Sequence, residues 1–332
     1  MAGLNVAAAG YAQVDGYFTP PILTSAISYA YHQCAITPHL AKSNFLGDQE
    51  LFCGSRAIFG RETDIEWFGF GTDNNEDPPV TPGPSVDPDA ITICQLSKFQ
   101  IKLSDRDRML MCNHYDEWIK ILERQIDKNI IMEIDNYSLP LILASAHPDN
   151  VGKHAGMLNH TVDLGGQGGS GEEPLPTATI DNFITLIDNM IEVSSQAGWF
   201  CDPVETATPG EEVANPVLVI PSKLRGLAQK YIRENQSCCT DTGAAYRSGV
   251  IGMVNGMDIV VSQRLQPARI AGSTLIAQVL LVDPNQILHA FKLLSNKIWE
   301  GKFEQYFVGQ YAYDTHVINP YGVIVANAQV AG

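Results

Sequence analysis

A glycine-rich stretch is the first group of residues whose types and spacing could do chemistry. Residues 166–171 read G-Q-G-G-S-G and match the spacing of a dinucleotide-binding fingerprint. That fingerprint holds a phosphate only where its glycines follow a strand and open a helix, whose N-terminus receives the charge. Here Glu172, Glu173 and Pro174 come next, and the two carboxylates would repel a phosphate. We therefore interpret the stretch as a flexible loop.

The candidate metal ligands form three clusters, which are His147 with His154 and His160, His32 with Cys34 and His39, and Cys238 with Cys239. The first three histidines are seven and six residues apart, so no two of them form the adjacent-turn pair of a helical zinc motif. The second cluster lies among small residues that offer no rigid cage. The adjacent cysteines lack the two-residue gap of a zinc knuckle and have no second pair. The sequence predicts no metal site and no cofactor.

No nucleophile is indicated either. The chain has no serine in a G-x-S-x-G context, which is the turn that exposes a hydrolase nucleophile. No local signature selects one pair from the seven cysteines and eight histidines. We predict that the protein is not an enzyme. The alternative is a cytosolic enzyme whose site is assembled from distant residues, around His147, His154 and His160.

Charge excludes a further class of protein. The chain has 37 Asp and Glu against 21 Lys and Arg, which is a formal net charge of −16. A protein that binds nucleic acid through its phosphates needs clustered basic residues to release counterions, so this class is excluded. Charged residues make up only 17% of the chain against a typical value of about 25%, so we expect neighbours to cover part of the surface. The seven cysteines are scattered, which indicates free thiols of a protein made in a reducing cytoplasm.

The elements that would position side chains begin with an N-terminal arm, residues 1–50. Its short apolar patches, such as residues 27–31, have no partner nearby in the sequence. The arm must therefore lie either on a neighbouring molecule or on its own body, and the sequence leaves both alternatives open.

Residues 51–103 are predicted to form one long hairpin. Its strands are residues 64–70 and 91–103; in the second, Ile93, Phe99 and Ile101 share one face and Lys98 and Lys102 lie on the other,. The tip between them, residues 71–90, has five acidic residues, five prolines and no base, a composition that forms no packed core. A two-stranded ribbon is only marginally stable alone, so we expect it to lean on a partner.

A long helix is predicted from residue 105 to residue 146, with a kink at Pro140,. Its apolar residues recur at steps of three or four, at Tyr115, Ile119, Leu122, Ile126, Ile130, Ile134, Tyr137 and Leu141,. Such a helix is far longer than the average of about 11 residues. The pattern indicates a single helix that spans the body.

The rest of the chain mixes helices and strands. We predict a helix over residues 180–198, a buried strand over 217–220, a helix opened by Pro221, a tight hairpin around Asn255 and Gly256, a helix after Asp283 and Pro284, and strands over 306–313 and 322–325,. Because strands and helices do not alternate regularly, the predicted fold class is α+β.

In this order of elements the chain resembles the major capsid proteins of tailed bacteriophages, whose fold is shared with herpesvirus shells and bacterial encapsulins. The most specific stretch is residues 248–265, S-G-V-I-G-M-V-N-G-M-D-I-V-V-S-Q-R-L. It is similar to a family segment in which a glycine-rich strand turns at a glycine into an apolar strand. The ending Y-G-V-I-V, residues 321–325, resembles the closing strand of the family.

The resemblance implies five segments. They are an N-terminal arm (1–50), an extended loop (51–103), a peripheral domain with a spine helix (104–160), an axial domain (161–282), and a return to the peripheral domain with the closing strands (283–332). It also implies a virion protein, made in the host cytoplasm, that self-assembles as hexamers and pentamers into an icosahedral shell around double-stranded DNA. An encapsulin-like compartment is the alternative within the fold.

Partners follow from the same resemblance. They are further copies of the chain, a scaffolding protein and a portal protein, with a cement protein as an optional addition; DNA is enclosed without sequence-specific binding, and no membrane is involved. Since residues 71–90 contain no lysine, the covalent cross-link that some members form through this loop is not expected. The residues expected to meet a neighbouring subunit are Arg56, Arg61, Glu62, Glu66, Trp67 and Lys98, with a solvated strand as the alternative.

Overall fold

The computed structural model describes residues 35–41, 56–62, 86–104, 115–166, 173–197, 216–235, 250–254, 257–265, 267–271, 274–300 and 304–330. Its helices are α1 (Thr37–Leu40), α2 (Tyr115–Ala144), α3 (Ile180–Gln196) and α4 (Arg225–Asn235). Its strands are β1 (Arg56–Glu62), β2 (Val86–Thr92), β3 (Gln95–Ser104), β4 (Leu175–Pro176), β5 (Val217–Pro221), β6 (Val250–Val254), β7 (Met257–Ser262), β8 (Pro267–Ala271), β9 (Thr274–Val282), β10 (Ile287–Glu300), β11 (Glu304–Val317) and β12 (Val323–Val330). The predicted α+β fold class is confirmed.

The described strands form three sheets. β1 and β2 pair as a two-stranded ribbon, and β10, β11 and β3 form a three-stranded antiparallel sheet. The largest sheet runs in the order β4-β12-β9-β5-β7-β6, with β8 also paired to β9. None of the helices in the described part of the chain combines the length and the apolar character that a membrane crossing requires.

Both faces of the seven-stranded sheet are covered, and β5 shows how. Every residue of Val217–Pro221 is buried. Leu218 and Ile220 belong to the core that includes α3, whereas Val217 and Val219 belong to the core that includes the end of α2. A continuous apolar run is what a strand buried on both faces requires, and the predicted strand at 217–220 is confirmed.

The amphipathic helix α3 covers one of these faces. At the start of α3, Thr179 Oγ1 caps the helix by accepting a hydrogen bond from the backbone N–H of Asn182 at 3.3 Å,. The helix ends at Gln196. Its buried residues are Phe183, Leu186, Ile187, Met190, Ser194 and Val193. The predicted helix is confirmed, although the buried stripe is rotated, because Ile180, Ile184 and Ile191 are only half-buried.

The long helix α2 connects the two larger sheets. Ile126, Ile130 and Ile134 are buried in the core beneath the three-stranded sheet, whereas Leu139 and Ile142 pack in the core of the seven-stranded sheet. The predicted spine helix is confirmed over its 30 residues Tyr115–Ala144, and residues 105–114 lie outside the described part of the chain. Pro140 lies inside the helix on its exposed side, and the kink there stays a prediction.

The predicted hairpin needs correction in its strands. Its outgoing strand is β1, Arg56–Glu62, while the predicted strand 64–70 lies outside the described residues. The single predicted return strand is two strands, because β2 pairs with β1 and β3 pairs with β11. Residues 86–90, predicted as part of the tip, belong to β2. The partner strand changes at Cys94, whose N–H donates to the side chain of Asp314, Oδ2, at 3.1 Å instead of to a backbone carbonyl.

The prediction of a helix after Asp283 is wrong. Asp283 Oδ1 accepts a hydrogen bond from Asn285 N at 3.0 Å and caps a single 3-10 turn, Pro284–Gln286. The chain then enters β10, a strand of 14 residues. Ile287, Phe291 and Leu294 do repeat at a helical spacing, but β10 pairs with β11 along almost its whole length. Strand pairing supplied by the rest of the fold outweighs the local pattern.

The predicted strands near the C-terminus and the predicted hairpin before them are present. β11 and β12 are longer than the predicted strands 306–313 and 322–325. β6 and β7 pair antiparallel with Val254 opposite Met257, which confirms the strands of the predicted tight hairpin. Its turn residues, Asn255 and Gly256, lie outside the described part. β12 pairs with β9 in the seven-stranded sheet.

Candidate assembly site

A buried carboxylate joins three parts of the fold where α2 passes between the sheets. Asp135 is 0% exposed and accepts hydrogen bonds from the N–H of Ile36 at 3.2 Å, the N–H of Thr37 at 3.1 Å and the hydroxyl of Thr37 at 2.7 Å. On its other side Arg264 Nη1 pairs with Asp135 Oδ2 and also donates to the carbonyl of Ile131 at 3.2 Å. Because Arg264 follows β7, this carboxylate links the N-terminal segment, the spine helix and the seven-stranded sheet.

Part of the predicted arm therefore packs on its own body. Leu40 is 0% exposed and Ala41 is 5% exposed, and both lie in the core that covers the seven-stranded sheet. Ala35 is 1% exposed and packs with Ile130 and Ile134 in the core beneath the three-stranded sheet. Of the two alternatives for the arm, packing on its own body holds for residues 35–41. The remaining residues of 1–50 lie outside the described part.

A second carboxylate fastens the spine helix to the three-stranded sheet. Glu133 accepts hydrogen bonds from the hydroxyl of Tyr311 at 2.6 Å, the hydroxyl of Tyr313 at 3.2 Å and the hydroxyl of Ser97. The two tyrosine rings stack with centroids 5.9 Å apart. Ser97 is, with Gln95, one of two polar residues on the face of β3 that also carries Phe99 and Ile101. The carboxylate of Glu133 explains why a hydroxyl lies at Ser97.

Burial and this carboxylate perturb both tyrosines. Burial is the larger cause and the hydrogen bond to Glu133 the second cause that raise the pKa of Tyr311 well above 10.0. Burial, and next the charge of Glu133, raise the pKa of Tyr313 to about 12. Both shifts favour the neutral phenol, which is the form that donates a hydrogen bond to Glu133.

The tyrosine pKa shifts predict that the free energy of unfolding falls as the pH rises above 10. The unfolded tyrosines lose their protons near pH 10.0, while Tyr313 keeps its proton until about pH 12 when folded. The unfolded state therefore binds fewer protons in that window, and stability decreases with pH there. Urea unfolding of the unassembled chain between pH 9 and pH 12 measures the slope. The double variant Tyr311→Phe, Tyr313→Phe should show a shallower slope, and an unchanged slope would contradict the assignment.

A third polar cluster lies where the hairpin leaves the sheet. Asp314 Oδ1 accepts from the hydroxyl of Tyr137 at 3.1 Å, and Oδ2 accepts from Cys94 N at 3.1 Å. Burial, and next the charge of Asp314, raise the pKa of Tyr137. Next to it, the hydroxyl of Thr315 lies 2.7 Å from that of Ser138 and 2.7 Å from His289 Nδ1. The start of β3 is thus fixed to both the spine helix and β11.

The structure places four of the six predicted contact residues. Lys98 is exposed on β3, opposite Gln310 of β11. Arg56, Arg61 and Glu62 lie on β1, at the register positions opposite Thr92, Asp87 and Val86 of β2. Glu66 and Trp67 lie outside the described residues.

The three histidines of the enzyme alternative have separate surroundings. The ring of His147 stacks on Tyr321 with centroids 4.0 Å apart, and its Nδ1 accepts from Asp149 N at 3.3 Å. His154 and His160 are exposed. Within the described ranges, no group of three or more His, Cys, Asp or Glu side chains is placed to hold a metal ion.

The sequence analysis missed the carboxylates that hold the body together. Glu133 and Asp135 lie inside the apolar run I-I-M-E-I-D of residues 130–135. Asp135 is buried, whereas Glu133 is exposed. A carboxylate in such a run is a signal of a polar contact with another element, and where the carboxylate is buried its charge must be paired. The signal does not name the partners, since Thr37 and Arg264 are 98 and 129 residues away from Asp135.

Comparisons with solved structures identify the fold. A chain from Mycobacterium phage Che8 matches with a TM-score of 0.55 and 15% sequence identity, over 88% of this chain and 90% of that one. The capsid of Ralstonia phage GP4 matches with a TM-score of 0.54 and 12% identity, over 92% of this chain and 91% of that one. No protein-family model matches the sequence, and no curated protein does.

These matches span almost the whole of each chain, so the architecture is that of a phage capsid subunit. More particularly, the described helices and sheets have the fold of the major capsid proteins of tailed bacteriophages. The resemblance drawn from residues 248–265 and 321–325 is confirmed at the level of the fold.

Proposed function

We propose that the chain is a major capsid protein that self-assembles, as hexamers and pentamers, into an icosahedral shell enclosing double-stranded DNA. The observation that carries the proposal is the match to the capsid of Ralstonia phage GP4 over 92% of this chain and 91% of that one. The protein acts in the virion after synthesis in the host cytoplasm. Its proposed partners are further copies of itself, a scaffolding protein, a portal protein and, as an option, a cement protein.

The two-stranded ribbon of β1 and β2 supports a role in subunit contacts. Within the described residues, β1 and β2 form a sheet of their own, and a two-stranded ribbon needs a further surface for stability. We assign that surface to a neighbouring subunit. The proposed contact residues on the hairpin are Arg56, Arg61, Glu62, Glu66, Trp67 and Lys98.

The charge of the chain supports the proposed cargo. A net charge of −16 per copy gives a shell built from many copies a strongly negative field. Such a shell encloses DNA without adsorbing it, so the DNA can move during packaging. No described cluster favours the enzyme alternative, and the encapsulin-like alternative differs in its cargo.

Sedimentation of the purified chain tests this proposal. The chain is expressed alone and with a candidate scaffolding protein, and particles are treated with nuclease before their DNA is extracted. We expect large, uniform particles, with nuclease-protected DNA in those isolated from an infection. Particles that carry protein cargo and no DNA would favour the encapsulin-like compartment. A small, uniform oligomer in both expressions would contradict shell assembly.

A further inference from the structure

The described N-terminal segment, residues 35–41, reaches two separate cores of the body. Ala35 is buried with the isoleucines of α2 in the core beneath the three-stranded sheet. Leu40 is buried in the core that covers the seven-stranded sheet. The helix α1 within this segment is a single turn of four residues, which is too short to be stable by itself. Contacts with the body therefore hold the segment in place, and we call residues 35–41 the strap.

The other connections between the two sheets are narrow. β9 passes into β10 through the single 3-10 turn Pro284–Gln286, and β11 passes into β12 through the turn Pro320–Gly322. α2 also crosses from one sheet to the other, and it contains Pro140, which has no N–H to donate within the helix. Single turns and a helix that lacks a hydrogen bond are places where packed sheets can move relative to one another. Within the described residues, the strap is a further element that contacts both cores.

The site that receives the strap is held in place by the body itself. Ser262 Oγ, which is buried at the end of β7, accepts hydrogen bonds from the N–H of Arg264 at 3.0 Å and the N–H of Leu265 at 3.3 Å. This turn directs the guanidinium of Arg264 to the carboxylate of Asp135 and to the carbonyl of Ile131. The charge of Asp135 therefore has a partner that does not belong to the strap.

The strap contributes only uncharged donors to Asp135. They are the N–H of Ile36 at 3.2 Å, the N–H of Thr37 at 3.1 Å and the hydroxyl of Thr37 at 2.7 Å. Water can replace uncharged donors at a carboxylate, whereas the loss of a buried counter-ion leaves a desolvated charge and costs much more. Departure of the strap therefore leaves Asp135 paired with Arg264, and the body can stay folded without the strap.

We propose that the strap is a releasable clamp between the two larger sheets. When it is docked, it fixes the orientation of the three-stranded sheet relative to the seven-stranded sheet; when it is released, the two sheets can move relative to one another. Thr37 holds the strap on α2 and Leu40 holds it on the seven-stranded sheet, so both contacts are needed. This inference goes beyond the proposed function, because it concerns the single chain and does not depend on shell assembly.

Hydrogen exchange of the unassembled chain, followed by mass spectrometry, measures release of the strap. Thr37→Val removes the hydroxyl donor and Leu40→Ala removes the apolar contact, and each should speed exchange of residues 35–41 by about tenfold. Thr37→Ser keeps the hydroxyl and should exchange like the unchanged chain. Thr161→Val makes the same replacement at an exposed threonine and should have no effect. Urea unfolding of each variant confirms that the fold is intact.

A distance measurement tests whether the strap fixes the two sheets. Spin labels at Lys98 of β3 and Gln329 of β12, both exposed, report the separation of the sheets, and attachment through unnatural amino acids leaves the seven cysteines in place. The chain with an intact strap should give one narrow distribution of distances. The double variant Thr37→Val, Leu40→Ala should broaden that distribution about twofold, while Thr161→Val should leave it narrow.

Two results would overturn the proposal. Faster exchange of residues 35–41 in the Thr37→Val, Leu40→Ala chain with an unchanged distribution of distances would show that the strap covers the body without fixing the sheets. Unchanged exchange in both single variants would show that these contacts do not hold the strap. Both measurements use the unassembled chain, so their outcome is separate from whether the chain forms a shell.

Discussion

Replacement of Asp135 by asparagine should lower the free energy of unfolding by about 3–5 kcal/mol. Its carboxylate is 0% exposed and accepts from Ile36, Thr37 and Arg264. The asparagine keeps the volume but leaves the guanidinium of Arg264, whose side chain is only 21% exposed, without its negative partner. Breaking one side of such a pair costs much more than the pair contributes, because the remaining charge stays desolvated.

Urea unfolding of the unassembled chain measures this loss, and two comparisons make it specific. Asn129 is exposed on the same helix, and Asn129→Ala should change stability by no more than about 0.5 kcal/mol. The double variant Asp135→Asn, Arg264→Met removes the stranded charge and should recover part of the loss. Limited proteolysis should also cut near residues 35–41 faster in Asp135→Asn. A loss below about 1 kcal/mol would show that the junction does not hold the N-terminal segment.

Replacement of Gly165 by alanine should destabilise the protein by about 2 kcal/mol or more. Gly165 has φ +79°, a region that side chains rarely adopt, and an added Cβ would lie 2.3 Å from the carbonyl oxygen of Asn327 and 2.8 Å from the N of Leu175. Both obstacles are backbone atoms, so no side chain can rotate away. The close approach also allows a hydrogen bond, because Asn327 Nδ2 donates to the carbonyl of Gly165 at 2.9 Å. This bond links β12 to the loop that contains Gly165.

Two other glycines provide matched controls for this substitution. Gly152 has φ +91° but nothing within 4 Å of an added Cβ, so Gly152→Ala should show the backbone strain alone, about 1 kcal/mol. Gly226 lies in α4 with open space and no positive φ, so Gly226→Ala should stabilise the helix by about 0.5–1 kcal/mol. Urea unfolding should show that Gly165→Ala is the least stable of the three variants, Gly152→Ala the next and Gly226→Ala the most stable. A Gly165→Ala variant no less stable than Gly152→Ala would contradict the packing of β12.

Elements whose formation depends on neighbouring residues in the sequence could be predicted from local patterns. The apolar run at residues 217–220 predicted β5, and the spacing of Phe183 and Ile187 predicted α3, because burial on one or two faces leaves a direct periodic trace. Asn255 and Gly256 predicted the β6–β7 hairpin for a similar reason, since that turn favours these residues. These elements could be located without knowing the rest of the fold.

Elements fixed by distant partners could not be predicted in this way. Phe291 has a helical spacing from its apolar neighbours but lies opposite Tyr313 in a strand pair. The change of partner at Cys94 depends on Asp314, which is 220 residues away. The polar junction at Asp135 depends on Thr37 and Arg264 in the same manner. No window of the sequence contains both partners of such a contact.

Three carboxylates hold the elements of the fold together. Glu133, Asp135 and Asp314 fasten the spine helix to its sheets and to residues 35–41, so the body can act as one unit.

Electron microscopy of the purified chain, imaged after expression alone and after expression with a scaffolding protein, tests the central claim most directly. Closed icosahedral shells with sixfold and fivefold clusters of subunits are the predicted result. A uniform small oligomer in both samples would contradict the account.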